Sequence, residues 1–312
     1  MDAKSNSLQT NFENAILKTL AYFDVFDYPL TGVEVHKFLW RQRATLRDVL
    51  EVLGVMEAAG QIGRHFGYYC LRGREEIITT RQQRYLIADP KFTRVLMVVR
   101  WLRLLPNVRL VAVCNTLAYS NAKAESDLDL FVITAPGRIW LTRLLVTGVT
   151  QLLGVRRHGV KITNRICLSF YITANAAELK KFALAPEDPY LAYWLATLAI
   201  VSARPGAPEE FWRANRWVGE WLPNFRPRVI NQRRTVRPLW HWVMSPFPVG
   251  RGLDAFAKRL QQAKMARRER QRHARTPGVI ISDVALKFHE EDRREYYRQE
   301  WQERLSRHGI IP

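Results

Sequence analysis

The sequence predicts an α+β protein with three helices and a hairpin at its N-terminus, a central mixed sheet flanked by helices, and a helical, basic C-terminal region. Three observations carry this. Residues 8–75 show helix-period apolar spacing with caps, then an alternating, glycine-punctuated stretch. Apolar runs at 110–113 and 166–173 read as strands, and between them lies a strand-like run in which Asp127 and Asp129 alternate with Leu128, Leu130 and Phe131. From Ala177 onward the pattern reads as helix. The expected divisions are 1–85, 86–176 and 177–312.

The first helix is predicted over 10–23, with Ile16, Leu17, Leu20 and Phe23 on one face. Asp24 to Leu30 turns the chain, with Phe26, Tyr28 and Pro29 as apolar plugs. Thr31 with Glu34 is a capping-box pair opening a second helix, and Thr45 opens a third that runs to Ala59. Leu46, Leu50, Leu53 and Met56 are its expected inward face, and Gly60 stops it. The stretch 61–74 alternates around Gly63 and Gly67 as a hairpin does.

Residues 76–108 continue as an amphipathic helix with Arg81, Arg84, Lys91, Arg94, Arg100 and Arg103 on a basic outer face, ended by Pro106. After the second core run, Pro136-Gly137 makes a turn and 139–154 an apolar helix. A loop holding Arg156, Arg157, His158 and Lys161 leads to the strand at 166–173. Further on, 191–203 reads as an apolar core helix, and 211–222 as a helix with Trp217 and Trp221 one turn apart. The segment 226–275 concentrates positive charge around Trp240, His241 and Trp242. The tail begins with a short apolar strand or turn at 279–282, and Phe288 opens a charged helix in which His289 and Asp292 lie one turn apart.

Composition narrows the partners. A net charge of +19 over 312 residues points to a polyanion: nucleic acid, nucleotides or an anionic membrane surface. Cys70, Cys114 and Cys167 are scattered in apolar contexts, which suits buried thiols in a reducing compartment. No secretory h-region and no run long enough to span a bilayer are evident, so a cytoplasmic location without an integral membrane segment is expected.

Chemistry concentrates in 111–134, VAVCNTLAYSNAKAESDLDLFVIT. Asp127 and Asp129 alternate with Leu128 and Leu130, which on a strand sets the carboxylates on one side, about 7 Å apart at the backbone. Such a pair calls for a divalent cation, and an all-oxygen, two-carboxylate site suits Mg²⁺, which keeps waters and takes further ligands from phosphates. Upstream, a strand ending at Asn115 and a helix starting near Thr116 would aim first-turn N–H groups and the Thr116 hydroxyl at an anion.

This segment resembles the nucleotidyltransferase superfamily of the DNA polymerase β type, whose signature is an apolar strand, Gly-Ser, a short helix and Asp-x-Asp within a strand. Thr116 falls where the family has Ser, Asn115 where it has Gly, and Ser126-Asp127-Leu128-Asp129 on its S-D-h-D block. The resemblance implies that Asp127 and Asp129 are the catalytic metal ligands for one Mg²⁺ ion or two. It implies that Asn115, Thr116, Lys123 and Ser126 contact a nucleoside triphosphate. The family's third carboxylate has no counterpart in 166–173, which offers Cys167, Ser169 and Tyr171. The N-terminal module looks like a winged helix, and YFDVFDYPLT is similar to the start of bacterial proteins that place a winged helix before a nucleotidyltransferase domain.

Two functions follow as expectations. The first is Mg²⁺-dependent transfer of a nucleotidyl group from a nucleoside triphosphate to an acceptor hydroxyl. The second is a catalytically degenerate fold acting as a nucleic-acid-binding or regulatory module, through the hairpin wing and the basic C-terminal region. A third, weaker reading lays the Trp- and Arg-rich region on a membrane surface.

Overall fold

The computed structural model describes residues 2–227, 234–236, 251–271, 278–288 and 292–310, without the side chains of 2–8, 251 and 266–271. Trp240, His241, Trp242 and His289 lie outside the described residues. The N-terminal part is α1 (Asp2–Asp24), β1 (Leu30–Thr31), α2 (Gly32–Phe38), α3 (Leu46–Ala58), β2 (Ile62–His65) and β3 (Tyr68–Leu71). Both expected helix starts carry full capping boxes, Thr31 with Glu34 and Thr45 with Asp48. The hairpin β2–β3 gains β1 as a third antiparallel strand, in the order β1-β3-β2.

In α3 the buried face is Val49, Leu53 and Met56, while Leu50 is exposed. Leu53 and Met56 point inward as expected, and Val49, four residues before Leu53, takes the inward place expected of Leu50.

A long helix, α4 (Glu76–Leu102), then leads into the central sheet. Arg100 is exposed, as expected of a basic outer face, but the other expected cations are not. Arg81 makes a two-pronged pair with Glu34 (2.7 and 2.9 Å), Arg84 bonds Asp27 and the Phe26 carbonyl, and Lys91 is buried. These charges are drawn inward because acids and carbonyls of distant segments meet them there; Leu86 takes a solvent position instead.

The central sheet comprises β4 (Val108–Val113), β5 (Leu128–Thr134), β6 (Ile166–Thr173), β7 (Ala199–Ala203), β8 (Val279–Ile281) and β9 (Ala285–Phe288), in the order β7-β4-β5-β6-β9-β8. β5 and β6 run parallel and the other neighbours antiparallel. The parallel pair is bridged by α6 (Ile139–Leu152), as a crossover requires.

Three strands of this sheet come from residues 199–288, so the C-terminal part is not wholly helical. The expected helix over 191–203 divides into α7 (Pro189–Thr197) and β7. Ile200 and Val201 are β-branched, Ile200 pairs with Ala112 of β4, and an apolar run alone does not distinguish buried helix from strand. Likewise 285–288 is strand β9, not a helix start, and the final helix α11 begins later (Arg294–Arg307). The expected helix over 211–222 is also two pieces, α8 (Ala207–Ala214) and α9 (Val218–Trp221). Asn215 divides them; its amide bonds the Leu179 N–H and the Ala177 carbonyl. Trp217 and Trp221 stack edge to face, with Trp217 in the core.

The sheet separates two apolar layers with strand periodicity. Leu110, Ala112, Phe131 and Ile133 face a core shared with α1, α2, α3, α7 and α11. Val111, Val113, Leu130 and Val132 face α4, α6 and α10 (Arg251–Gln271). One core therefore joins the N-terminal helices to the sheet.

Candidate metal and phosphate site

β5 sets the site. Asp129 lies on the same side of β5 as Phe131 and Ile133, and Asp127 stands just before the strand begins. In the parallel pairing, Cys167 of β6 is the register partner of Asp129. A register shift follows, between Asp129 and Phe131, so that Phe170 is opposite Phe131. That bulge places Cys167 and Phe170 toward one layer, while Tyr171 is buried in the other.

One carboxylate oxygen each from Asp127 and Asp129 and the Cys167 sulfur lie within 4.8 Å of one another. The expected acidic pair thus converges, and a thiol stands where a third carboxylate was sought. Burial and the charge of Asp127 push the Asp129 carboxyl up to about 6, against the opposing pull of the Asn115 amide, the Cys167 thiol and Arg157. Burial, with both carboxylates beside it, also pushes the Cys167 thiol well up, so it stays protonated at neutral pH.

Asn115 is the keystone of the adjoining turn. Its φ of 57° lies in the left-handed region, where Asn is tolerated and most residues are not. Its Nδ2 donates to Asp129 Oδ2 at 2.8 Å, and its Oδ1 accepts from Trp194 Nε1 (3.0 Å) and Tyr190 Oη (3.4 Å) of α7. Tyr190 and Trp194 were not singled out by sequence reasoning; their aromatic character marks them as core, and only the fold brings them to Asn115. The expected short helix is a single turn, α5 (Asn115–Ala118), beginning one residue earlier than expected. Thr116 is half-buried in that turn, and its carbonyl accepts from the Asn121 N–H.

The loop before β5 is held from below. Lys91 Nζ donates to the carbonyls of Ala124 (2.9 Å) and Ser126 (2.8 Å) and to Asn164 Oδ1 (2.7 Å). Ser126 Oγ accepts from the Lys123 N–H, which closes the loop on itself; the Lys123 residue is exposed. Ser126 and Lys123 therefore share the loop that precedes the acidic pair, and Asn115 with Thr116 lies across from it.

Arg157, from the loop between α6 and β6, reaches the acids from the other side. Its Nη1 lies 2.6 Å from Asp127 Oδ2 and 3.9 Å from the Cys167 sulfur. A separate cavity of about 670 Å³, lined by Tyr28, Arg81, Tyr119, Ser120, Ile200 and Arg234 among others, does not include the carboxylates. Among the described residues, no helix is long and apolar enough to cross a membrane.

Comparison with protein-family models, with curated proteins and with solved structures returned no match to this chain.

Proposed function

We propose that this protein is a Mg²⁺-dependent nucleotidyltransferase, and the convergence of Asp127 and Asp129 beside the Asn115 turn is the observation that carries the reading. The residues fit the ion. Two carboxylate oxygens close together, one of them on a carboxyl whose ionisation is resisted by burial and by its neighbour's charge, are relieved by a hard divalent cation. A protonated thiol adds no competing soft ligand. When bound, Mg²⁺ would supply charge neutralisation for triphosphate oxygens during in-line displacement of pyrophosphate by an acceptor hydroxyl.

The chain's own groups divide the remaining work. Asp127 and Asp129 are the ion's ligands. Asn115 orients Asp129 through its amide while Trp194 and Tyr190 fix the amide's own direction. Lys91 holds the loop that delivers Asp127. Arg157 neutralises Asp127, and a cation held by Asp127 would free its guanidinium for phosphate oxygens.

The test is transfer of label from α-labelled nucleoside triphosphates, with protein, RNA and small-molecule hydroxyl acceptors offered. Mg²⁺-dependent labelling that is lost in Asp127→Asn/Asp129→Asn is the expected result. No transfer to any acceptor, together with Mg²⁺–triphosphate binding no tighter in the wild type than in the double variant, rejects the proposal.

A second reading is favoured by one observation, the thiol of Cys167 beside the acidic pair in the place sought for a third carboxylate. On that reading the fold no longer catalyses and serves as a nucleic-acid-binding module. We read the N-terminal unit as a winged helix, but its third helix is a poor groove reader: Arg47 pairs with Glu51, and Glu57 holds Arg64 of the wing. Salt-dependent oligonucleotide binding that persists in the double Asp variant, with no transferase activity in either protein, selects this second reading.

A further inference from the structure

Between Asp129 and Glu178 the chain contains no acidic residue, while it contains Arg138, Arg143, Arg156, Arg157, Lys161 and Arg165. The end of this stretch that faces solvent is a narrow projection between α6 and β6. Its base is closed by the Ile166 N–H on the Val155 carbonyl (2.8 Å) and the Arg157 N–H on the Ile166 carbonyl (3.0 Å). Its tip is a two-residue turn: His158 and Lys161 exchange backbone hydrogen bonds, and Gly159 between them takes a φ of 52°.

The tip and base of this projection are apolar where a water-facing turn is normally polar. Val160, at the tip, is 95% exposed, and Leu152, at the end of α6, is 90% exposed; Ile162 and Leu153 are exposed to 40% and 39%. At such exposure Val160 and Leu152 contribute almost nothing to the core. Four aliphatic side chains stand in water within eleven residues that also hold Arg156, Arg157, His158 and Lys161.

We propose that residues 152–165 form a docking element for an anionic lipid bilayer. The two halves of its chemistry match the two layers of such a surface. Aliphatic side chains enter the boundary between headgroups and acyl chains, and Lys and Arg meet lipid phosphates and carboxylates outside it. Nucleic acid complements the charge but not the aliphatic tip, since single strands are gripped by aromatic stacking, and this projection has no aromatic residue other than His158. A second copy of the chain would present the same positive charge and be repelled. Arg157 belongs to the same projection and rests on Asp127, so docking brings the candidate metal site to the membrane side of the protein. The inference stands whether or not that site transfers nucleotides.

The experiment is co-sedimentation of the full chain with phosphatidylcholine vesicles, with and without phosphatidylserine, at low and high salt. Val160→Asp, Leu152→Asp and Lys161→Glu are compared with wild type after circular dichroism confirms that each folds. Binding is expected only to the phosphatidylserine vesicles, and part of it should survive high salt through the aliphatic insertion. Val160→Asp and Leu152→Asp should each weaken it about tenfold and remove the salt-resistant part, and Lys161→Glu should weaken it about fivefold or more. Absence of phosphatidylserine-dependent pelleting overturns the proposal. So does pelleting that the two aliphatic variants leave unchanged, which assigns it to the +19 charge of the whole chain. Tighter binding to an oligonucleotide that is lost in those same two variants overturns it in favour of nucleic acid.

Discussion

The side-chain amide of Asn115 bridges the acidic strand and the aromatic helix, donating to Asp129 at 2.8 Å while accepting from Trp194 at 3.0 Å. Its backbone is left-handed, so two properties can be separated by substitution. Asn115→Gly keeps the turn without strain but loses the amide. Asn115→Ala loses the amide and adds about 1 kcal/mol of left-handed backbone cost. Urea unfolding should therefore order the stabilities as wild type, then Gly, then Ala.

Asp129 carries a penalty for its charge. Its carboxyl lies above the ordinary carboxylate range in the folded protein, at about 6, so the protonated form is the one folding favours. The sign follows: the fold is fully stable with respect to this group below the unfolded carboxyl pKa and loses stability as pH rises toward about 6. In chelator-treated protein, Asp129→Asn should be more stable than wild type by about 1–2 kcal/mol at neutral pH, and the gap should close only in buffer near the unfolded carboxyl pKa, about pH 4. Paired thermal melts at the two pH values check it.

Arg157 pairs with Asp127, so on the proposed function it would compete with a divalent cation for that carboxylate. Arg157→Gln should raise affinity for Mn²⁺, used as a calorimetric and spectroscopic stand-in for Mg²⁺, by about fivefold. If Arg157 instead helps hold a triphosphate, the same variant should lower affinity for the metal–triphosphate complex. Titrations with the ion alone and with the complex separate the two effects.

Lys91 is 4% exposed and satisfies three oxygens from two separate loops. Lys91→Met fills most of the volume but leaves those acceptors without their cation, at a cost of about 3 kcal/mol. The loss should appear as a lower denaturation midpoint and as faster amide exchange in residues 123–128 and 164, with less effect at the distant hairpin β2–β3.

Much of this architecture was legible in the chain. The Thr31–Glu34 capping box and the helix start at Thr45 are local signals, and local signals survive folding unchanged. Strands β4 and β6 also announced themselves by the apolar runs at 110–113 and 166–173. What stayed hidden depends on partners remote in sequence. Arg81 and Lys91 look like surface cations until Glu34 and the 124–126 carbonyls are brought to them. β7 looks like more helix until β4 offers it an edge. At the site, the Asp127–Asp129 pair was readable from its alternation, whereas the place of Cys167 follows from the parallel register, and Tyr171 is turned away by a bulge that no residue type signals.

The last helix has a consequence for how the chain is made. Trp301 of α11 bonds the Lys18 carbonyl of α1, Arg304 holds Asp24, and β9 lies along β6. A nascent polypeptide therefore packs α1 early against α2, α3 and β3, but closes its remaining face with α11 only after about 280 further residues have followed. Contacts between segments so far apart form slowly, and until β9 arrives the β6 edge stays open to mispairing.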